Sequence, residues 1–509
     1  MLAKVCSAVP RGVEALPVQV EVDARPGSPI LSVVGLPDAA VREARERVLA
    51  AIRHLGCELE TKTIVINLSP AEERKEGALL DLAMAVGVLI AAGLLRPPPD
   101  GKLWFLGELS LDGSLRPVRG VLPIVEAAVV AGAAVVLPLA NLREAAVIRG
   151  ARLHAAASLF EVVRHLRGER PLAEVVGGNG NLAAITLPVG PDLSDVAGQG
   201  HAKRALEVAA AGGHHLLLLG PPGAGKTMLA QRLPGLLPLL DESEAVATTK
   251  VYSVSPGVPR PDGLVRVRPF RAPHHTISAA GLVGGGSLPR PGEISLAHNG
   301  VLFLDEVTEF RRDVLEVLRQ PLESGRVVIA RAAATLTFPA QFQLVAAANP
   351  CPCGHLGDPR RECTCTPLAV RLYRGRLSGP LLDRLDLQLE IPNPSYRELA
   401  RTPSGERSEV VRARVAAARK LQSRRLAGSG RRTNSELAPA EVRTFCTPDG
   451  EGERLLELAM ARLGLSARGV HRILKVARTI ADLEGSEAVV GRHVAEAIAY
   501  RSLDRSPVG

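Results

Sequence analysis

Gly220-Pro-Pro-Gly-Ala-Gly-Lys226-Thr227-Met228 is the stretch on which the reading of this chain turns. An apolar run, His214 to Leu219, precedes it, and a helical Met-Leu-Ala pattern begins within it. Strand, glycine loop and helix in that order make a phosphate-binding loop. Gly220, Gly223 and Gly225 let the backbone curl between Pro221, Pro222 and Ala224, so that loop N–H groups and the next helix N-terminus face an anion. Lys226 then reaches the terminal phosphates, and the Thr227 hydroxyl can hold Mg²⁺. The expected ligand is a purine nucleoside triphosphate, ATP, with Met228 closing the binding segment.

Downstream, Val301-Leu-Phe-Leu304 reads as a buried parallel strand that ends in Asp305 and Glu306. Asp305 belongs in the metal shell, and Glu306, one residue further out, is placed to polarise the attacking water as general base. An acidic pair after an apolar run is also common at strand ends, so its weight comes from following the phosphate loop. Gln343-Leu-Val-Ala-Ala-Ala-Asn349 is a third core strand, ending in an amide before Pro350. If that strand lies between the first two, Asn349 emerges at the carboxyl edge, where it can orient the water or the γ-phosphate. The alternative for Asn349 is a turn-initiating Asn-Pro.

The spacing of phosphate loop, acidic pair and polar strand end resembles AAA+ ATPases. Arg268-Pro-Phe-Arg-Ala-Pro-His-His-Thr-Ile-Ser278, Gly284-Gly-Gly286, Pro291-Gly-Glu-Ile-Ser-Leu-Ala-His-Asn-Gly300 and Ser378-Gly-Pro-Leu-Leu-Asp-Arg-Leu-Asp386 narrow this. They are similar to the magnesium-chelatase-like branch of the YifB/ComM type, and the resemblance spans essentially the whole chain. It implies that Arg384 is an arginine finger entering a neighbouring subunit's nucleotide site, a contact worth several powers of ten in rate. It also implies that Arg468, in Ser466-Ala-Arg468, is the sensor that touches phosphate, with Arg472 as the second choice. Asp195-Val-Ala-Gly198-Gln199 resembles the segment that packs around adenine. The fold implied is α/β: an AAA+ phosphate-loop core with a C-terminal helical lid, preceded by a Lon protease-like α+β domain.

Composition agrees with several packed cores, since 509 residues exceed what one core organises. Aromatics are 3% and apolar residues 46%, with no sign of bulk disorder. A formal charge of +9 favours a polyanionic partner, although net charge alone is weak evidence. Neither a secretory signal nor a bilayer-length apolar run stands out, and Leu82 to Leu95 and Ile124 to Ala140 read as packed helix–strand units; a cytoplasmic protein is expected, with no membrane partner. The cluster Gly177-Gly-Asn-Gly-Asn181 marks a linker. Four segments follow: residues 1–172, a linker over 173–192, the ATPase core over 193–394, and helices over 395–509.

In the first segment, Ile64-Val-Ile-Asn-Leu-Ser-Pro-Ala71, Arg74-Lys75-Glu76-Gly77 and a helix from about Leu80 carry the Lon-like resemblance. Lon-type peptidases pair a serine at that helix start with a lysine, and here Leu79 occupies the serine register. Peptide hydrolysis is therefore not expected, and ring assembly or partner binding is. Four of the seven cysteines, Cys351, Cys353, Cys363 and Cys365, form two Cys-x-Cys pairs. Zn²⁺ in a four-thiolate site, free thiols and redox pairs all fit that spacing. His214-His215 and His274-His275 lack ligand-spaced neighbours and read as structural.

The family resemblance puts Val251 to His298 and a hairpin, Arg326 to Thr337, near a central ring pore. Arg326 and Arg331 on that hairpin, with Arg412, Arg414, Arg419, Lys420, Arg424, Arg425, Arg431 and Arg432, can track a phosphate backbone without reading bases; the helix taken alone is equally a solvated face. The resemblance thus implies a homo-oligomeric, hexameric ATPase moving on single-stranded or branched DNA, as in ComM-like helicases that drive branch migration during DNA uptake. The alternatives are a magnesium-chelatase-type motor subunit or a protein-remodelling ATPase.

Overall fold

Leu216–Leu219 is a strand in the computed structural model, which describes residues 2–501 except 58, 60–61, 74, 76, 99–101, 179–189, 287–288, 332–333, 359–360 and 395–404. It belongs to a five-stranded parallel sheet in the order Phe270–Arg271, Val301–Leu304, Gln343–Ala348, Leu216–Leu219, Leu387–Glu390. The strand that ends at Asn349 thus stands between the other two, as its expected role requires. Leu219 pairs with Ala348 and Leu304 with Ala346, so Gly220, Asp305 and Asn349 all leave the sheet at its carboxyl edge. Ligands of open parallel sheets bind at that edge.

A parallel sheet is covered on both faces, which is why these strands are apolar without alternation. Leu216, Leu218, Val301, Phe303, Val345 and Ala347 face one core, with the helices Gly200–Gly212, Lys226–Leu236, Ser408–Arg425 and Ala467–Leu483. Leu217, Leu302, Leu304, Leu344 and Ala346 face a second core built with residues from 282 to 340. The hairpin lies on that side: Arg326–Ala330 pairs antiparallel with Thr335–Pro339, burying Val327, Ile329, Leu336 and Phe338 while Arg326 and Val328 point outward. Residues 332 and 333 of its turn lie outside the described residues.

After residue 404 the described chain is helical, in Ser408–Arg425, Pro439–Phe445, Gly450–Leu463, Ala467–Leu483 and Gly491–Ala499. Caps explain several starts, since Asp449 and Ser466 accept the N–H groups of Gly452 and Gly469.

A separate eight-stranded mixed sheet runs 174–176, 152–156, 134–138, 103–105, 2–11, 14–26, 62–69, 30–34. The helix Asp81–Ala91 is buried along its whole length against it. Gly87 allows that approach, because a Cβ there would sit 2.7 Å from Val22 Cγ2. The run Ile124 to Ala140 splits into the helix Val121–Val130 and the strand Ala134–Pro138, the expected packed unit. That helix docks on Glu242–Val254: Arg119 donates to Ser255 O at 2.7 Å and Val258 O at 3.0 Å, and Lys250 pairs with Glu126. Polar contacts that are part-buried or exposed thus tie the two sheets' domains together. The linker expected over 173–192 falls largely outside the described residues, as do Asn179, Asn181, Arg74, Glu76 and the boundary at 395.

Candidate nucleotide site and cysteine cluster

The phosphate loop turns sharply because three of its glycines meet demands that a side chain cannot. A Cβ on Gly220 would lie 2.2 Å from Ile391 O, and Gly223 and Gly225 have φ of +79° and +86°. The helix Lys226–Leu236 starts at once from that turn and directs its N-terminus at the loop. Lys226 is buried, and its ammonium donates to Gly220 O at 2.6 Å, Pro221 O at 2.9 Å and Asn349 Oδ1 at 3.0 Å. Burial lowers its pKa, while Asp305 and Glu306 pull the other way. Thr227 donates its hydroxyl to Asp305 Oδ2 at 2.6 Å, which brings together the two groups expected to share Mg²⁺. Met228 is half exposed on the same turn.

Asp305 Oδ1 accepts the Glu306 N–H at 2.9 Å, and Glu306 itself adopts φ +48°. A left-handed glutamate is strained backbone, and the carboxylate it carries is exposed. His275 Nδ1 lies 3.9 Å from that carboxylate. His275 packs against His274 with ring centres 4.1 Å apart and planes tilted by 34°. Sequence spacing offered these histidines no carboxylate; the fold supplies one from 31 residues away in the chain, and likewise sets His214 3.2 Å from Asp386.

The adenine-type segment also lies at the carboxyl edge. Gln199 donates to Pro392 O at 2.8 Å, and Gln199, Gly200 and His201 line a cleft of about 220 Å³ with Glu390 and Pro392 to Pro394.

Arg384 and Arg468 lie elsewhere. Both line a larger cleft of about 570 Å³ whose walls include His215, Gly300, Gln343 and Asp386, the residues at the amino ends of the strands. Within one chain neither faces the phosphate loop. Arg384 pairs with Glu323 and donates to Pro380 O at 2.5 Å, leaving its Nε buried without a partner. Arg468 is exposed. Arg472, the second choice for the sensor, is instead engaged with Asp386 at 2.7 Å.

In the Lon-like resemblance, Leu79 is buried and offers no hydroxyl. Lys75 is also buried, with its Nζ on the carbonyls of Gly35 and Pro70, and burial lowers its pKa. No nucleophile is among those partners.

The four cysteines, distant by up to 14 positions, converge: all four sulfurs lie within 4.8 Å of one another. Cys351–Cys353 is 3.4 Å, and Cys363 is 3.6 Å from each of them. Those separations exceed a disulfide bond and approach the ~3.8 Å edge of a tetrahedron with ~2.3 Å metal–sulfur bonds. Backbone N–H groups of Leu356 and Cys353 point at Cys351 Sγ and Cys365 Sγ, both at 3.4 Å, the support a thiolate needs. The donor set fits Zn²⁺.

Residues 192–399 match the magnesium chelatase ChlI-subunit family, 20–141 match a second ChlI family of that enzyme, and 405–501 match the ChlI C-terminal family. The chain is 45% identical to the uncharacterized protein YifB of Escherichia coli strain K12, over 97% of this chain and 96% of that protein. It is 44% identical to the competence protein ComM of Haemophilus influenzae, over 99% and 98%. With the magnesium-chelatase 38 kDa subunit of Cereibacter sphaeroides it shares 26% identity, over 59% of this chain and 88% of that one. No described helix is long and apolar enough to cross a membrane. With its phosphate loop, acidic pair and polar strand end on one edge of a parallel sheet, the chain belongs to the YifB/ComM type of magnesium-chelatase-like AAA+ ATPases.

Proposed function

We propose that this chain is the subunit of a ring-forming, hexameric, cytoplasmic ATPase that moves on single-stranded or branched DNA as a helicase or branch-migration motor. The observation that carries the hydrolysis is the convergence of Lys226, Thr227, Asp305 and Asn349 through bonds of 2.6 to 3.0 Å, beside the exposed Glu306. In this reading Lys226 binds the β- and γ-phosphates, and Thr227 and Asp305 hold Mg²⁺, which would neutralise phosphate charge. Glu306 takes a proton from the attacking water, which Asn349 orients. Arg384 and Arg468, placed at the amino edge, act on the nucleotide of the adjoining subunit.

DNA as the track is supported by 44% identity over nearly the full length to a protein named for competence. The net charge of +9 and the exposed Arg326 and Arg331 on the hairpin support it too. Residues 1–172 serve as an assembly or partner-binding module of Lon-like type without peptidase activity. Residues 173–192 link it to the core at 193–394, and 395–509 form the lid. The four cysteines hold Zn²⁺.

A chelatase-type motor is the second reading, favoured by the 26% identity with a chelatase subunit. That alignment uses 59% of this chain, whereas the alignment to the competence protein uses 99%. The test is ATPase rate with and without single-stranded, duplex and branched DNA, alongside strand displacement on a labelled fork. Stimulated turnover with displacement is expected; turnover indifferent to every DNA would move the assignment to the chelatase or protein-remodelling class.

A further inference from the structure

The cysteine loop abuts the phosphate loop and is linked to two other segments of the nucleotide site. Cys351 follows Asn349 by two residues, and Asn349 accepts from Lys226 at 3.0 Å. Gly354, in the turn closed by its N–H on Cys351 O at 3.0 Å, abuts the phosphate loop. A Cβ on Gly354 would lie 2.6 Å from Cδ and 2.8 Å from Cγ of Pro222. On the far side, Cys365 runs directly into the helix Pro367–Arg374, capped by Thr366. From that helix Arg374 returns to Pro350 O at 3.1 Å. Two residues later Arg376 donates to Thr308 O at 2.9 Å and pairs with Glu309 at 3.2 Å, in the turn after Glu306. Phosphate loop, Asn349 and the segment after Glu306 are thus joined through one knot of four thiols.

Such a knot has few apolar side chains to hold it. Among its residues Cys351 is buried, while Cys353, Cys363 and Cys365 are partly exposed. A tetrahedral metal crosslink is what would hold a loop of this composition in one shape. We infer that Zn²⁺ bound by Cys351, Cys353, Cys363 and Cys365 acts as a clasp on the phosphate loop, so that metal occupancy sets nucleotide affinity. This rests on the zinc reading above and adds a regulatory consequence to it. Losing the metal frees the Cys351–Cys365 loop, and with it the support of Asn349 and the Gly354 stop behind Pro222.

The experiment uses the full-length chain. Zinc is quantified in the purified protein, and binding of a fluorescent N-methylanthraniloyl ATP is titrated before metal removal by a thiol reagent with chelator, after it, and after thiols and Zn²⁺ are restored. About one zinc per chain is expected, with affinity about tenfold weaker on removal and recovered on restoration. Cys363→Ser with Cys365→Ser should reproduce the loss without recovery. Gly354→Ala, which keeps all four thiols but presses on Pro222, should retain zinc and still bind nucleotide less tightly. A wild type without zinc, or with disulfides in its place, overturns the zinc reading and this inference together. Zinc present, with nucleotide affinity unchanged on its removal and in Gly354→Ala, overturns the clasp alone.

Discussion

Asp386 is the anion around which the amino edge of the core sheet is organised, and Asp386→Asn puts a magnitude on that. The carboxylate is buried, accepts from Arg472 Nη1 at 2.7 Å and from the His215 N–H at 3.4 Å, and lies 3.2 Å from His214 Nδ1. Burial alone pushes this carboxyl up, yet Arg472 and His214 outweigh it and hold it well below the usual carboxylate range. The amide keeps the shape and removes the charge. Taking one partner from a buried ion pair costs about 3–5 kcal/mol. Arg472 keeps 22% of its side-chain surface in water, which screens part of the loss, so the expected cost is about 2 kcal/mol.

The assay is a double-mutant cycle with Arg472→Met by chemical denaturation of the full chain, with amide exchange over 473–482 to localise the change. A coupling energy near 2 kcal/mol is expected; a value within about 0.5 kcal/mol of zero refutes the role given to this pair. Because the folded pKa lies below the unfolded one, the contribution is whole above about pH 4 and is lost only as pH falls through the folded value.

Glu306→Gln should bind ATP as the wild type does and lose turnover by about a hundredfold or more, measured by phosphate release; equal turnover would remove the general-base role. Arg384→Ala should be inactive alone and regain turnover when mixed with inactive Lys226→Ala subunits, since mixed interfaces pair an intact loop with an intact arginine. Mixtures that stay inactive would argue against action between subunits. His298 is buried, its pKa lowered to about 4 by desolvation, and its Nδ1 accepts the Gln341 N–H at 3.1 Å. The unfolded chain takes up that proton first, so stability falls as pH drops from about 6.5 toward 4, by about 2 kcal/mol between pH 7 and 5. His215 is lowered to about 4 by burial as well, so His298→Gln should reduce the pH slope of the denaturation midpoint over that range by about half, and an unchanged slope would rule His298 out as a source.

Much of the core was readable because its signals are local. Leu216–Leu219, Val301–Leu304 and Gln343–Ala348 are apolar runs bounded by loop residues, and a parallel sheet makes strands of such runs. Ser408–Arg425 and Ala467–Leu483 follow the helical period that marks them in sequence. What sequence could not display is contact between distant positions. His214 meets Thr479 at 2.8 Å across 265 residues, and nothing in either segment's pattern announces the other. His275 beside Glu306, Glu323 on Arg384 and Gly354 against Pro222 are of the same kind. The position of Arg468 follows from how the C-terminal helices fold back to the amino ends of the strands, a tertiary choice that helical periodicity does not encode.

That choice bears on assembly. Phosphate-binding groups stand at the carboxyl edge and two candidate phosphate-stabilising arginines at the amino edge, with the sheet between them. Within one chain these groups stand on opposite edges, whereas in the proposed ring a head-to-tail contact would set the amino edge of each subunit on the carboxyl edge of the next. Heterologous contacts of that kind close into rings when the rotation allows. Arg384 is meanwhile held on Glu323, an exposed carboxylate, with its Nε orphaned. Moving from that carboxylate to a neighbour's γ-phosphate would exchange one anion for another and satisfy the orphaned donor. On the proposed ring, therefore, the pair with Glu323 would be the resting position of Arg384, and a nucleotide-loaded neighbour would supply the anion that releases it.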